Sequence, residues 1–154
     1  EVVRGPDTSD ETVQVVCDLL QKQGRTPVVL RKEVPGFLVN RLQSALLREA
    51  FSLLEKGVVS AEDVDRAFTA ALGPRWAACG PFELMNIQAP KGWLNVLKRL
   101  LPVVESSSTP PRILEEKLAD IESGAMKDEG FLSAPPGAAA ELRRRIAETF
   151  VKLR

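Results

Sequence analysis

The sequence contains no histidine and no tyrosine, and only two cysteines, Cys17 and Cys79, among 154 residues. Without histidine the chain lacks the side chain whose ordinary pKa lets it trade a proton near neutral pH, and it cannot assemble a Cys/His metal site. Two cysteines make no disulfide framework in a chain of this length. Cys17 falls on the apolar face of a helical pattern and reads as a small buried hydrophobe. Cys79, before Gly80-Pro81, has no histidine to activate it as a nucleophile. Net charge is absent too: lysine plus arginine and aspartate plus glutamate number 21 each, so no overall field favours nucleic acid, a membrane surface or an acidic partner. There is no run of about 18 apolar residues to span a bilayer. The opening Glu1-Val2-Val3-Arg4-Gly5 is not a signal peptide, and a cytoplasmic address is the expectation. Finally, the glycines stand apart from one another, so no Gly-x-Gly-x-x-Gly turn exists to seat a dinucleotide pyrophosphate on a helix N-terminus.

What is present is organised around Lys32 to Leu42. Pro27 to Arg31 is a short β-branched run, Pro35 biases the residue before it away from the α region, and Gly36 accepts backbone angles closed to other residues. Beyond this turn, Val39, Leu42, Leu46, Ala50 and Leu53 follow a three-to-four spacing, with Leu47, Phe51 and Leu54 beside them. The spacing predicts a long helix over residues 37–56, apolar around most of its circumference and central to the fold. Arg41, Ser44, Arg48, Ser52 and Glu55 form its narrow polar face.

Upstream, Glu1-Val2-Val3 reads as a strand. Thr8 and Glu11 read as a capping box opening a helix that ends near Gly24, and Pro27 to Arg31 as a second strand. Strand, helix and strand in about 30 residues make one βαβ unit, the end of a larger parallel sheet. Downstream everything is helical. Ser60 caps a helix stopped by Gly73-Pro74, and Gly80-Pro81 starts a short one. Pro90-Lys91-Gly92 separates that helix from the next, Trp93 to Leu101. Pro102 to Pro111 reads as a surface linker, with Thr109 capping a helix through Ile121 that ends at Gly124. Ala139 to Leu153 forms the last helix, with Arg143, Arg144 and Arg145 on its solvated side. The predicted fold is mainly α. Residues 1–35 form the C-terminal end of a Rossmann-type domain, a βαβ remnant, and residues 36–154 form a helical domain.

Pro35-Gly36-Phe37-Leu38-Val39-Asn40-Arg41-Leu42, followed by Glu49-Ala50, Glu55-Lys56-Gly57-Val58, Glu62-Asp63-Val64-Asp65 and Gly80-Pro81-Phe82-Glu83-Leu84, resembles the 3-hydroxyacyl-CoA dehydrogenase family. The likeness runs in register from Glu1 to about residue 90, and Leu72-Gly73-Pro74-Arg75-Trp76 resembles the λ-crystallin/L-gulonate dehydrogenase branch. The resemblance implies an NAD-dependent oxidation of the C3 hydroxyl of a 3-hydroxyacyl thioester or 3-hydroxy acid. It also implies a homodimer closed by the helical domain. NAD, the catalytic histidine and a catalytic serine would then belong to an N-terminal half that this sequence does not contain, so the chain alone is expected neither to hold NAD nor to turn over. A stand-alone helical dimerisation module is the alternative reading.

By the same resemblance Asn40 lies at the active-site cleft, where an amide holds the reacting oxygen and the histidine without titrating. Glu1 matches the glutamate that orients that histidine, and with no histidine here it is expected to be idle. Ser44, one turn beyond Asn40, is a candidate for lining the same cleft. Arg75, beside Trp76, offers a guanidinium that grips a free carboxylate bidentately, as a sugar acid or short hydroxy acid requires. The tail has Gly130-Phe131-Leu132-Ser133 and no tyrosine, where thioester-using members carry a Gly-Phe-x-x-Tyr-like ending. That departure argues against a CoA thioester.

Overall fold

The computed structural model describes residues 1–87, 90–123, 131–132 and 137–152. The chain divides into two compact units, residues 1–46 and residues 47–153.

In the first unit, strand β1 (Val2–Val3) pairs in parallel with β2 (Val29–Leu30), Val2 opposite Val29 and Val3 opposite Leu30. Helix α1 (Asp10–Lys22) makes the crossover, as the βαβ reading requires. Its cap lies one residue later than the sequence suggests. The Ser9 hydroxyl accepts the Thr12 amide at 3.1 Å, and Thr8 instead takes the amide of Gly5 at 3.2 Å. Serine is the better cap by type, and the Arg4–Thr8 turn reinforces the choice: the Arg4 guanidinium donates to the Thr8 carbonyl at 3.0 Å and pairs with Asp10. Cys17 is the one buried hydrophobic side chain among the described residues, the role expected of it.

Helix α2 (Val39–Glu55) runs from the first unit into the second. Its length matches expectation; its orientation does not. The buried residue is Ser52, 4% exposed, from the polar stripe, while Leu42 and Leu47 from the apolar stripes are 62% and 44% exposed. In the second unit the polar stripe is occupied because it clasps the segment expected to be a linker. Glu49 Oε2 accepts the Glu105 amide at 2.6 Å, and Arg48 donates to the Ser107 carbonyl at 3.3 Å. Glu105 in turn accepts the Ser106 and Ser107 amides at 2.9 and 2.7 Å and the Ser52 hydroxyl at 3.2 Å. These bonds, that of Ser107 foremost, hold the Glu105 carboxyl below its ordinary pKa, with Lys56 4.0 Å away adding attraction. Residues 105–107 are fixed to one helix face by hydrogen bonds, the carboxylates of Glu49 and Glu105 among their acceptors.

The helix beyond Ser60 also departs from expectation. Ser60 does cap α3 (Ala61–Ala67), its hydroxyl accepting the Asp63 amide at 3.1 Å. The helix is not stopped at Gly73-Pro74, however. It widens into a π-helical turn at Phe68–Leu72 and continues as α4 (Gly73–Ala78), with Pro74 in the first turn where its missing N–H costs nothing. Glycine suits position 73 because a Cβ there would lie 3.2 Å from the Phe68 carbonyl oxygen. Phe68 and Trp76 stack edge to face across the widened turn, 6.0 Å between centroids.

Helices α5 (Pro81–Ile87), α6 (Pro90–Leu100), α7 (Arg112–Glu122) and α8 (Ala138–Lys152) complete the order. Pro90 opens α6 instead of preceding it. Thr109 does not cap α7: the residue before the helix is Pro111, and Glu55 of α2 reaches across to accept the Ile113 amide at 2.7 Å. Gly124, Gly130 and Ser133, cited for a helix end and for the tail, lie outside the described residues, as does Leu153.

Candidate active-site residues

The geometry begins at the turn between β2 and α2. Gly36 has φ 82° and Phe37 φ 51°, two successive left-handed residues. Glycine takes that conformation freely, whereas a bulky side chain does so at a cost of roughly 1–2 kcal/mol. The consequence is that the amides of Leu38 and Val39 point away from the preceding strand and toward Glu1. Glu1 Oε1 accepts the Leu38 amide at 2.6 Å, and both Glu1 oxygens lie 3.3 Å from the Val39 amide. A carboxylate sits on the positive end of α2 and satisfies amides the helix leaves open. Glu1 thereby fastens β1 to the start of the helix that carries Asn40.

Asn40 follows these two amides directly, in the first turn of α2, and Ser44 is one turn on; both side chains are exposed. Arg41 points back, donating to the Pro35 carbonyl at 3.3 Å. A groove of about 310 Å³ lies beside the turn, floored by Val28, Leu30, Val34, Phe37 and Leu42 and rimmed by Arg31, Lys32 and Arg41. Neither Asn40 nor Ser44 lines it.

Arg75 belongs to the second unit, on α4. It is exposed, and its guanidinium meets no carboxylate among the described residues. Trp76 is engaged with Phe68. Two features went unread in the sequence: the left-handed conformation of Phe37, which no residue preference signals, and the π-helical turn that precedes the helix carrying Arg75.

A dinucleotide does not fit the strand-to-helix turn present here. The N-terminus of α1 is taken by its own Ser9 and by acidic Asp10 and Glu11, with Asp7 just upstream, which would repel a pyrophosphate. Among the described residues no group of three or more His, Cys, Asp or Glu side chains could hold a metal ion, and no helix is long and apolar enough to cross a membrane.

A parallel strand–helix–strand unit passes through Pro35-Gly36 into elements that are all helical among the described residues. Residues 36–134 match the C-terminal domain of 3-hydroxyacyl-CoA dehydrogenase and residues 1–34 its NAD binding domain. The chain belongs to the 3-hydroxyacyl-CoA dehydrogenase family. It is 42% identical over 107 residues to a 3-hydroxyacyl-CoA dehydrogenase of Gibberella moniliformis, covering 68% of this chain and 33% of that protein. It is 42% identical over 99 residues to the lambda-crystallin of Oryctolagus cuniculus, covering 64% and 31%. Among solved structures, 5-formyl-3-hydroxy-2-methylpyridine 4-carboxylic acid 5-dehydrogenase, an NAD+ dependent dismutase, aligns with a TM-score of 0.82 at 33% identity, covering 99% of this chain and 49% of that one. The chain spans between about a third and a half of the length of these proteins.

Proposed function

We propose that this chain supplies the helical, substrate-closing part of an NAD-dependent dehydrogenase that oxidises the C3 hydroxyl of a 3-hydroxyacyl thioester or a 3-hydroxy acid, working as a homodimer. The observation that carries the reading is the bond from Glu1 to the Leu38 amide, which fixes a carboxylate next to Asn40. In this reading Asn40 donates its amide hydrogen to the reacting oxygen, and Glu1 sets the orientation of the first turn from which Asn40 projects. A free Glu1 lone pair would also orient an imidazole brought by the remainder of the enzyme. Ser44 lines the same helix face, one turn deeper. The residues present do not fit NAD, so no step is assigned to it.

Two observations favour a free hydroxy acid over the thioester. The guanidinium of Arg75 is exposed and unpaired among the described residues, ready for a bidentate carboxylate. The solved relative that aligns along nearly the whole chain carries a carboxylic acid in its substrate's name. A sugar acid such as L-gulonate is the particular candidate.

The test is NADH formation by the complete gene product with L-gulonate, 3-hydroxybutyrate and 3-hydroxybutyryl-CoA. Turnover that falls in an Asn40→Ala variant, mainly in kcat, is expected. Absence of turnover with every such substrate overturns the catalytic reading and leaves a helical association module.

A further inference from the structure

The groove beside the turn from β2 to α2 is separate from the residues given chemical roles above: none of Glu1, Asn40, Ser44 and Arg75 lines it. It lies wholly within the first unit. Its floor is an uncovered apolar surface, with Val28, Phe37 and Leu42 43, 38 and 62% exposed. Its rim is cationic. Arg31 and Lys32 make no ion pair among the described residues, and Arg41 commits one guanidinium nitrogen to the Pro35 carbonyl without meeting a carboxylate. Glu33, beside Lys32 in the chain, does not line the groove, and Glu1 is engaged by the Leu38 and Val39 amides.

The lining sorts the ligands that fit. Among the described residues no hydroxyl, amide or carboxylate side chain lines the groove. A sugar, a nucleoside or a polyhydroxylated acid would leave its hydroxyls unpaired there, the cost of a buried polar group without a partner. An ammonium would meet three like charges. A hydrocarbon tail, by contrast, covers the apolar floor, and the stems of the arginines and the lysine extend that floor to the rim. A single anionic head then falls among the cations, where a guanidinium grips a carboxylate bidentately. The volume, about 310 Å³, is that of a small-ligand site.

We propose that this groove is a binding site for a medium-chain carboxylate, an amphiphile whose tail lies on the floor formed by Val28, Phe37 and Leu42 and whose head is held by Arg31, Lys32 and Arg41. The ligand needs no hydroxyl and undergoes no reaction here. Charge complementarity sets the sign of the head, and the absence of polar lining side chains restricts the ligand's polar atoms to that one end. The site does not rest on the dehydrogenase reading, since it shares no side chain with Asn40 or Arg75.

Isothermal titration calorimetry of the complete gene product with octanoate, below the concentration at which it forms micelles, is expected to show one saturable site per chain with a negative heat-capacity change. Each methylene removed from the tail should weaken binding by about two- to fourfold. Octan-1-ol, which lacks the charged head, should bind roughly tenfold more weakly or worse, and octylammonium should not bind. Arg31→Glu with Lys32→Glu should weaken octanoate by a similar factor and admit octylammonium, whereas Asn40→Ala and Arg75→Ala should leave octanoate binding unchanged. If the double reversal loses helical circular dichroism, the ligand series and the Asn40→Ala and Arg75→Ala variants decide alone. No saturable binding, the result if the rest of the complete protein covers the groove, overturns the proposal. So does affinity indifferent to the charge of the head, or octanoate binding that is lost in Asn40→Ala or Arg75→Ala.

Discussion

Glu1 and Leu38 are 37 positions apart, yet the carboxylate of one accepts the backbone amide of the other at 2.6 Å, the contact that ties the first strand to the central helix. Because the acceptor is charged and lies on the positive end of α2, its value exceeds that of a neutral cap. Glu1→Gln keeps an oxygen acceptor and removes the charge. The expected loss is about 0.5–1 kcal/mol of stability at low ionic strength, read from urea midpoints. The loss should shrink in high salt, since the helix-end interaction is screened at an exposed site. Equal midpoints for the two proteins at low salt would show that the contact contributes no charge stabilisation.

Gly36 tests the turn from the other side. Its φ of 82° is closed to a β-carbon on conformational grounds, while the space around it is open, the nearest atom to an added Cβ being Arg41 Cγ at 3.4 Å. Gly36→Ala should therefore cost roughly 1–2 kcal/mol through the backbone alone. Gly80→Ala, with open space and ordinary φ, should stay within about 0.5 kcal/mol of the parent. Similar midpoints for the two variants would mean that the left-handed turn does not persist in solution.

Arg75 separates the two substrate classes. If its guanidinium grips a free carboxylate, Arg75→Ala in the complete gene product raises KM for L-gulonate by roughly ten- to a hundredfold, the worth of a charged hydrogen-bonded pair. KM for 3-hydroxybutyryl-CoA, which presents a thioester in place of a carboxylate, should barely move. Parallel changes for both substrates would assign Arg75 to the fold.

The order of elements was legible because each rests on local signals: β-branched runs for the strands, three-to-four spacing for the helices, and Ser60 at a cap. Where reading and structure part, a contact or turn that residue preference alone does not encode decided the outcome. Ser9 replaced Thr8 at a cap because Arg4 holds the Thr8 carbonyl. Glu55 replaced Thr109 because a carboxylate from α2 reaches the Ile113 amide first. Gly73-Pro74 looked like a stop, but a π-helical turn absorbs the proline without ending the helix. The largest difference is α2, where Ser52 of the polar stripe is buried while Leu42 and Leu47 of the apolar stripes are exposed. Periodicity reports which face is apolar; it does not report whether this chain supplies the surface that covers it. For the candidate site, family likeness suggested Asn40 and Glu1, and the bond between their elements was not legible, since nothing in the sequence marks Phe37 as left-handed.

The clasp between α2 and residues 105–107 should respond to acid with a definite sign. Glu105 accepts two amides and the Ser52 hydroxyl, with Lys56 nearby, so its carboxyl titrates below the ordinary 4.5 in the folded protein. A depressed folded pKa means that the unfolded chain binds the proton first as pH falls. The stability that Glu105 contributes is therefore fully present above its unfolded pKa and is lost as pH drops through the folded one. Glu49, which holds the Glu105 amide at 2.6 Å, is common to both proteins when Glu105→Gln is compared with the parent. The gap between their urea midpoints should be constant from pH 7 to about pH 5, then narrow below about pH 4.5 as the parent loses its advantage. A gap that persists unchanged into the acid range would mean that Glu105 acts through shape and neutral hydrogen bonding, and that its charge does not hold the segment to the helix.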